Sequence, residues 1–246
     1  MIKTKAEVAK MRKAGRVVAE MLDACEQAAG PGMTTAQLDL VAREVLDRRN
    51  AQSNFLNYHG FPAVICTSPN NVIVHGIPGD YVLQDGDILS IDCGAVIDGY
   101  HGDAARTIPI GSVSNEAERL IKATRESLAA GIEFVRKGAR LSDIGHAVQT
   151  VAEGEGFNVV REYVGHGIGT AMHEDPQVPN YGVPGQGLKL KVGHVLAVEP
   201  MVNLGTARTT LFEDGWTVLT ADGRISAHFE HSIAVTDNGP EVLTMP

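Results

Sequence analysis

The stretch LQDGDILSID, beginning at Leu83, can be laid letter by letter over LKVGHVLAVE, beginning at Leu190. Gly86 falls on Gly193, Ile88 on Val195, Leu89 on Leu196, Ile91 on Val198 and Asp92 on Glu199. Upstream, GMTTAQLDLVA from Gly32 lies over GARLSDIGHAV from Gly138, with Leu38 on Ile144. Helix signals precede each strand. From about Thr4 to Ala29, apolar Val8, Met11, Val18, Met21 and Leu22 recur at helical spacing, and the run stops at Gly30–Gly32, GPG. A second helix follows from Thr34 or Thr35 to Arg49, with Thr34 and Gln37 spaced as a capping box. The order then repeats, with a long helix from about Ser114 to Arg136 and a shorter one in KGARLSDIGHAVQTVAEGEGF.

The helices of the first half are followed by AVICTS, NVIVHGIP and GDILSIDCGAVIDGY. The Asp-Gly within IDGYHGDAARTI signals a hairpin. In the second half a β-rich stretch runs from Val159 to Val235. Helices followed by strands, twice over, predict an α+β fold built by duplication. Its halves are about 1–110 and 111–246, within one domain spanning 1–246 and with no linker or low-complexity segment between them. A chain of 246 residues is long enough to bury a full core.

Both aligned strands end in an acid. One such residue reads most simply as a strand end meeting solvent. Four acids occur in apolar or small-residue settings: Asp92, Asp103 in YHGDAA, Glu199 in AVEPM and Glu230 in AHFEHS. No lysine or arginine in apolar context stands ready to neutralise them. If duplication gathers them, their mutual repulsion in low dielectric calls for divalent cations, and four carboxylates can hold two ions with some oxygens shared. A histidine in the set favours a transition metal over calcium.

Nine histidines are available, and most read as surface or satisfied polar residues. His146 falls in a helix pattern and His194 at a strand start, while His101, His228 and His231 lie near the carboxylates, where they can orient ligands. His75 in VHGIPG and His166 in GHGIGT share a His-Gly-Ile core, and His173 follows in the same stretch as His166. Gly165, Gly167 and Gly169 argue against a helix there, and the pattern is not HExxH. In extended chain the odd separation of His166 and His173 predicts opposite faces, hence different tasks.

Composition narrows the rest. The formal net charge of -9 disfavours a nucleic-acid partner held by bulk electrostatics. Three cysteines, Cys25, Cys66 and Cys93, form neither a disulfide framework nor a CxxC zinc pair, and they fit a reducing compartment. MIKTKAEVAKMRKAG lacks a long apolar run, so neither a signal peptide nor a membrane span is expected, and a cytoplasmic location follows.

The strings NYHGFPAVICTSPNNVIVHGIP, GDILSIDCGAVIDGYHGDAARTI, YVGHGIGTAMHEDPQVPNYG, AVEPM, DGWTV and SAHFEHSIAVT resemble, over essentially the whole chain, the type I methionine aminopeptidases of the bacterial kind. That resemblance implies the pita-bread fold: two pseudo-twofold-related halves with a curved antiparallel sheet flanked by helices. It implies two divalent ions (cobalt, manganese, iron or zinc). Asp92, Asp103 and Glu230 would hold one; Asp103, Glu230, His166 and Glu199 would hold the other, with Asp103 and Glu230 shared. His75 and His173 are the implied catalytic histidines, both also touching substrate, and Glu199 is the implied proton shuttle.

The implied methionine pocket comprises Tyr58, Phe61, Cys66, His75, Trp216 and Phe55, with Tyr163 at its mouth. Met172 departs from the family, whose members often carry an aromatic there. Backbone oxygens of Asn70, Val72 and Ser226 match a structural monovalent-cation site. The implied activity is removal of initiator methionine from nascent chains whose second residue is small, by a monomer that associates transiently with ribosomes and with no membrane. On that rule Ile2, being bulky, leaves Met1 in place on this chain. The chain also shows neither the long N-terminal extension of eukaryotic type I members nor the large insertion of type II members. The rival expectations are a proline-specific aminopeptidase of the same fold and a non-catalytic binding module.

Overall fold

The computed structural model describes residues 2–246; Met1, on which the retention rule bears, lies outside them. Helix α1 spans Lys5–Ala28 and buries Val8, Met11, Val18, Met21, Leu22 and Cys25. Thr4 caps it, accepting from the Glu7 amide while the Glu7 carboxylate takes the Thr4 amide. Helix α2, Thr35–Arg49, carries the same reciprocal cap between Thr34 and Gln37 and ends on Asn50 in the left-handed region. Both lie on a sheet centred on the strand Ile88–Ile97, which pairs antiparallel with Ile65–Pro69 and Tyr100–Pro109. The hairpin joining Ile88–Ile97 to Tyr100–Pro109 turns at Asp98 and Gly99, whose φ values of 52° and 75° suit a two-residue turn matched to strand twist.

Helices α3, Asn115–Ile132, and α4, Leu141–Gly154, pack on each other in the second half. The sheet there runs Gly239–Val242, His231–Thr236, Val195–Val198, Gly165–Gly167, Glu174–Val178, all antiparallel. Helix α3 is shorter than its apolar pattern to Arg136 predicts. The amides of Phe134 and Val135 bond the carbonyls three residues back, on Gly131 and Ile132, so the last apolar residues sit in tight turns. Val135 is nonetheless buried, which is why its spacing looked helical.

The residues that align in sequence have matching backbone surroundings. Gly32 and Gly138 share a φ of 92° and donate to Leu83 and Leu190 respectively. Those leucines donate back to Met33 and Ala139. Gly86 and Gly193, with φ of 99° and 93°, donate to the partner strands at Ile110 and Val235. Each half thereby delivers its central strand by the same route, although only the second ends at its acid, Glu199; the first runs on past Asp92 to Ile97, paired throughout with Tyr100–Pro109. Register does the rest: Gly94 faces Asp103, and His231 faces Val198, so the first strand pair carries two acids near its middle and the second carries two at one end.

Helix α1 and the strand Tyr100–Pro109 meet through glycines. A Cβ on Gly15 would lie 2.2 Å from the Leu243 carbonyl oxygen, and one on Gly102 would lie 2.8 Å from the Gly15 nitrogen. Alanine would gain about 1 kcal/mol of helix propensity at Gly15, but the clash is with backbone and cannot relax cheaply. Gly15→Ala should therefore lower stability by about 1–3 kcal/mol. Gly30→Ala, which meets nothing within 4 Å, should be nearly neutral. Urea midpoints of the two variants check the contrast.

Candidate metal centre

One cavity, of about 720 Å³ counted to its mouth, collects the predicted site. Phe55, Tyr58, Phe61, Cys66, His75, Asp92, Asp103, His166, Met172, His173, Glu199, Trp216 and Glu230 line it. Tyr163 is not on that wall; it sets its ring edge-on to His75, with centroids 5.9 Å apart. The wall divides in two. Phe55, Phe61, Cys66 and Met172 form a buried apolar cluster against which Tyr58, Ile77 and Trp216 pack. The floor is the four carboxylates with His166.

Each acid arrives on a strand or at its end. Asp92 and Asp103 lie on neighbouring strands, Glu199 directly follows Val198, and Glu230 directly precedes His231. Asp103 is braced by Ser232, whose hydroxyl accepts from the Asp103 amide at 3.0 Å and donates to its carbonyl at 2.8 Å. Asn180 donates to the Glu199 carbonyl at 3.0 Å. Neither Ser232 nor Asn180 stood out in the sequence, because a buried bracing hydroxyl or amide looks like any other polar residue until the fold is known. Cys66 lies opposite Asp92 in register, so one strand pair supplies both a floor acid and a pocket thiol.

Burial pushes the Asp103, Glu199 and Glu230 carboxyls well above their ordinary range, and their neighbours' negative charge pushes them further. Asp92 is raised as well, chiefly by burial. No lysine or arginine lines the cavity. The histidines shift the other way: burial, then His173, brings His166 and His75 down to about 4, and burial lowers His173. His166 Nδ1 sits 2.9 Å from the Gly167 carbonyl, which can only accept. The proton is therefore on Nδ1, and Nε2 offers a lone pair, 3.5 Å from Glu199 Oε1.

His166 and His173 do not face opposite ways. Their rings are 4.3 Å apart, centre to centre. The alternation rule holds within one strand, and here the chain doubles back: Gly167 pairs with Glu174 across two antiparallel strands. The glycines permit that approach, since a Cβ on Gly167 would lie 2.3 Å from the Asp175 carbonyl oxygen. His173 Nδ1 lies 2.7 Å from the Tyr58 hydroxyl. His75 sits at φ 61°, a strained conformation for a histidine, of the kind that concentrates at functional sites. The next residue must be glycine, because a Cβ on Gly76 would meet the Thr67 carbonyl oxygen at 2.1 Å.

Comparison with known proteins agrees with this geometry. The model of metallopeptidase family M24 matches residues 9–237. The chain belongs to that family. As an M24 metallopeptidase it is 50% identical over 245 residues to the methionine aminopeptidase of Clostridium perfringens, covering 100% of this chain and 98% of that protein. The crystal structure of methionine aminopeptidase from Rickettsia prowazekii superimposes with a TM-score of 0.98 at 46% identity, covering 100% of this chain and 99% of that one. Prolidase from Pyrococcus furiosus, at 20% identity and a TM-score of 0.80, shares the fold alone, this chain spanning 65% of it. The architecture is thus the pita-bread fold of M24 enzymes. Among the described residues no helix is long and apolar enough to cross a membrane.

The donor set fits a metal. Asp92 Oδ1, Asp103 Oδ1 and Glu230 Oε1 are buried without any hydrogen-bond partner. Asp103, His166 and Glu230 offer ligand atoms within 4.8 Å of one another, and so do Glu199, His228 and Glu230. Unpaired buried oxygens cost free energy that a cation returns.

The sign of the linkage is definite. Carboxyls raised in the folded state hold protons that the unfolded chain has released, so metal-free stability is lost as pH rises through the folded values. As pH rises through about 7, where Asp92 gives up its proton and the ordinary histidine range has been passed, the melting temperature of chelated protein should fall. Manganese or cobalt at 100 times its dissociation constant should add about 2.7 kcal/mol and flatten that fall. Asp103→Ala should abolish the metal-induced rise in a thermal melt.

Proposed function

We propose that the chain is a metal-dependent aminopeptidase that removes initiator methionine from nascent proteins whose second residue is small. The observation that carries this reading is the union, in one cavity, of a four-carboxylate floor with His166 and a closed apolar wall. We assign Asp92, Asp103, His166, Glu199 and Glu230 to two divalent ions, drawn from cobalt, manganese, iron and zinc. When bound, such ions supply Lewis acidity and a water acidic enough to ionise near neutral pH.

The chain's own residues supply the rest. The apolar wall of Phe55, Tyr58, Phe61, Cys66, Met172 and Trp216 takes the methionine side chain, and the Met172 thioether is a soft, adaptable partner for another thioether. His173 donates from Nε2 to the scissile carbonyl. Its Nδ1 then accepts, which makes the Tyr58 hydroxyl, 2.7 Å away, the donor that fixes this tautomer. His75 hydrogen-bonds the substrate backbone and holds it in place. Glu199, whose Oε1 lies 3.5 Å from His166 Nε2, carries the proton between water and leaving amine.

Three further points belong to this reading. The matched hydrogen bonds of the two halves support a duplication within one domain. Asn70 and Ser226 already meet, the Ser226 amide donating to the Asn70 carbonyl at 2.9 Å, which supports a monovalent cation there with Val72. A monomeric, cytoplasmic enzyme with transient ribosome contact accords with nascent substrates.

The purified protein, stripped with chelator and reloaded, should cleave Met-Ala-Ser and leave an X-Pro dipeptide intact. The reverse preference would transfer the chain to the proline-specific rival. Asp92→Ala should abolish activity, whereas a binding module would show none to abolish. His173→Ala should lower kcat about 10²–10³-fold with metal content retained by atomic absorption, and loss of metal in that variant would make His173 a ligand instead.

A further inference from the structure

Three histidines lie near the carboxylates without a place in the proposed ligand set. Two have partners elsewhere: His101 Nδ1 is 3.0 Å from Asn54 Oδ1, and His231 Nδ1 is 2.8 Å from Thr244 Oγ1. His228 differs. It is buried, its Nε2 has no hydrogen-bond partner, and that nitrogen lies 3.8 Å from Glu199 Oε2. A buried polar nitrogen left unpaired costs about 1–3 kcal/mol, so a fold that keeps one aims it at something.

The backbone of His228 is held by the same device as that of Asp103. The Thr107 hydroxyl accepts from the His228 amide at 2.8 Å and donates to the His228 carbonyl at 2.9 Å. Thr107 has then spent its proton, so Ser90, 2.8 Å away, donates to it. Ser90 and Thr107 are cross-strand partners on the two strands that carry Asp92 and Asp103. The register of Met201 against His228 brings Glu199, two residues before Met201, to the imidazole.

Glu199 consequently stands between two rings. Its Oε1 is 3.5 Å from His166 Nε2 and its Oε2 is 3.8 Å from His228 Nε2. His166 has its proton on the far nitrogen, committed to Gly167, and cannot donate to Glu199. His228 can.

We propose that His228 is a positioning residue for Glu199: a small closure of the 3.8 Å gap lets its Nε2–H take Oε2 as acceptor, fixing the carboxylate so that Oε1 is the oxygen presented to the metal side. This rests on the reading of Glu199 as ligand and proton carrier. One tied oxygen removes the freedom of the carboxylate to rotate, and it defines which oxygen is available for bonding and which for proton exchange.

The test compares His228→Leu with His228→Gln, whose amide N–H can replace the imidazole donor. Metal affinity is read by competition with a chromophoric chelator, and ligand type by the visible spectrum of the cobalt-loaded protein. kcat and KM are read on Met-Ala-Ser, and thermal melts show folding. The Leu variant should bind metal about 10–100-fold more weakly, reach wild-type stoichiometry at saturation, and show wild-type cobalt bands. Its kcat should fall by a similar factor with KM little changed, and the Gln variant should recover most of both losses. The proposal is overturned by a Leu variant with unchanged affinity and kcat. It is equally overturned by loss of one ion or of a nitrogen-donor band, which would make His228 a ligand, or by a folded Gln variant no better than Leu. A wild type that fails on Met-Ala-Ser removes the functional reading instead, while the affinity series still decides the role of His228.

Discussion

Four carboxylates share one buried space with no lysine or arginine lining it, and most of the structure can be understood as the means of keeping them there. Each ionised carboxylate taken from water costs several kcal/mol, and each raises the cost of the next. A flexible loop would let them part. Here they ride on strands or at strand ends whose ladders are complete, and the strands are backed by two separate apolar cores, one under α1 and α2 and one under α3 and α4. Ser232 and Thr107 add a finer restraint, each clasping both backbone groups of a single residue. The repulsion is thus stored in a rigid frame, and a metal ion held by these carboxylates would relieve it.

The same frame explains how two unlike surfaces meet in one cavity. Cys66 and Asp92 are direct partners across one strand pair, so the boundary between apolar wall and charged floor falls within a single register. Burial raises the Cys66 thiol, and the charge of Asp92 raises it further, which keeps the sulfur neutral and inert at this boundary. Met172 completes the wall beside Phe55 and Phe61 as a buried residue. An unbranched thioether in that position fills space without the fixed plane of an aromatic ring, and the wall is closed there.

Much of this was legible in the sequence, for stated reasons. The acids at Asp92 and Glu199 could be found because an apolar run closed by a carboxylate recurs in the sequence, although the strand of Asp92 continues to Ile97, and the caps at Thr34 and Gln37 because local chemistry decides them. The ligand set as a whole rested on resemblance to a family. What periodicity could not reach was anything set by chain reversal or by a contact distant in sequence. Helix α3 stops at Ile132 although Phe134 and Val135 continue its spacing, because burial and helix are different facts. The bracing residues are distant from what they hold: Ser232 from Asp103 and Thr107 from His228 are each more than a hundred positions away.

His166 and His173 show the same limit most clearly. Alternation along an extended chain places them on opposite faces, yet their rings are neighbours. The proposal of separate tasks rests on hydrogen-bond partners instead. His166 spends its Nδ1 proton on Gly167 and turns a lone pair toward Glu199. His173 meets the Tyr58 hydroxyl at Nδ1, and in the proposed reading its Nε2 donates to substrate. On that reading one ring offers electrons and the other a proton, so the two can share a wall of the cavity without competing. Hydrogen-bond partners, and not the faces of a strand, divide the work between them.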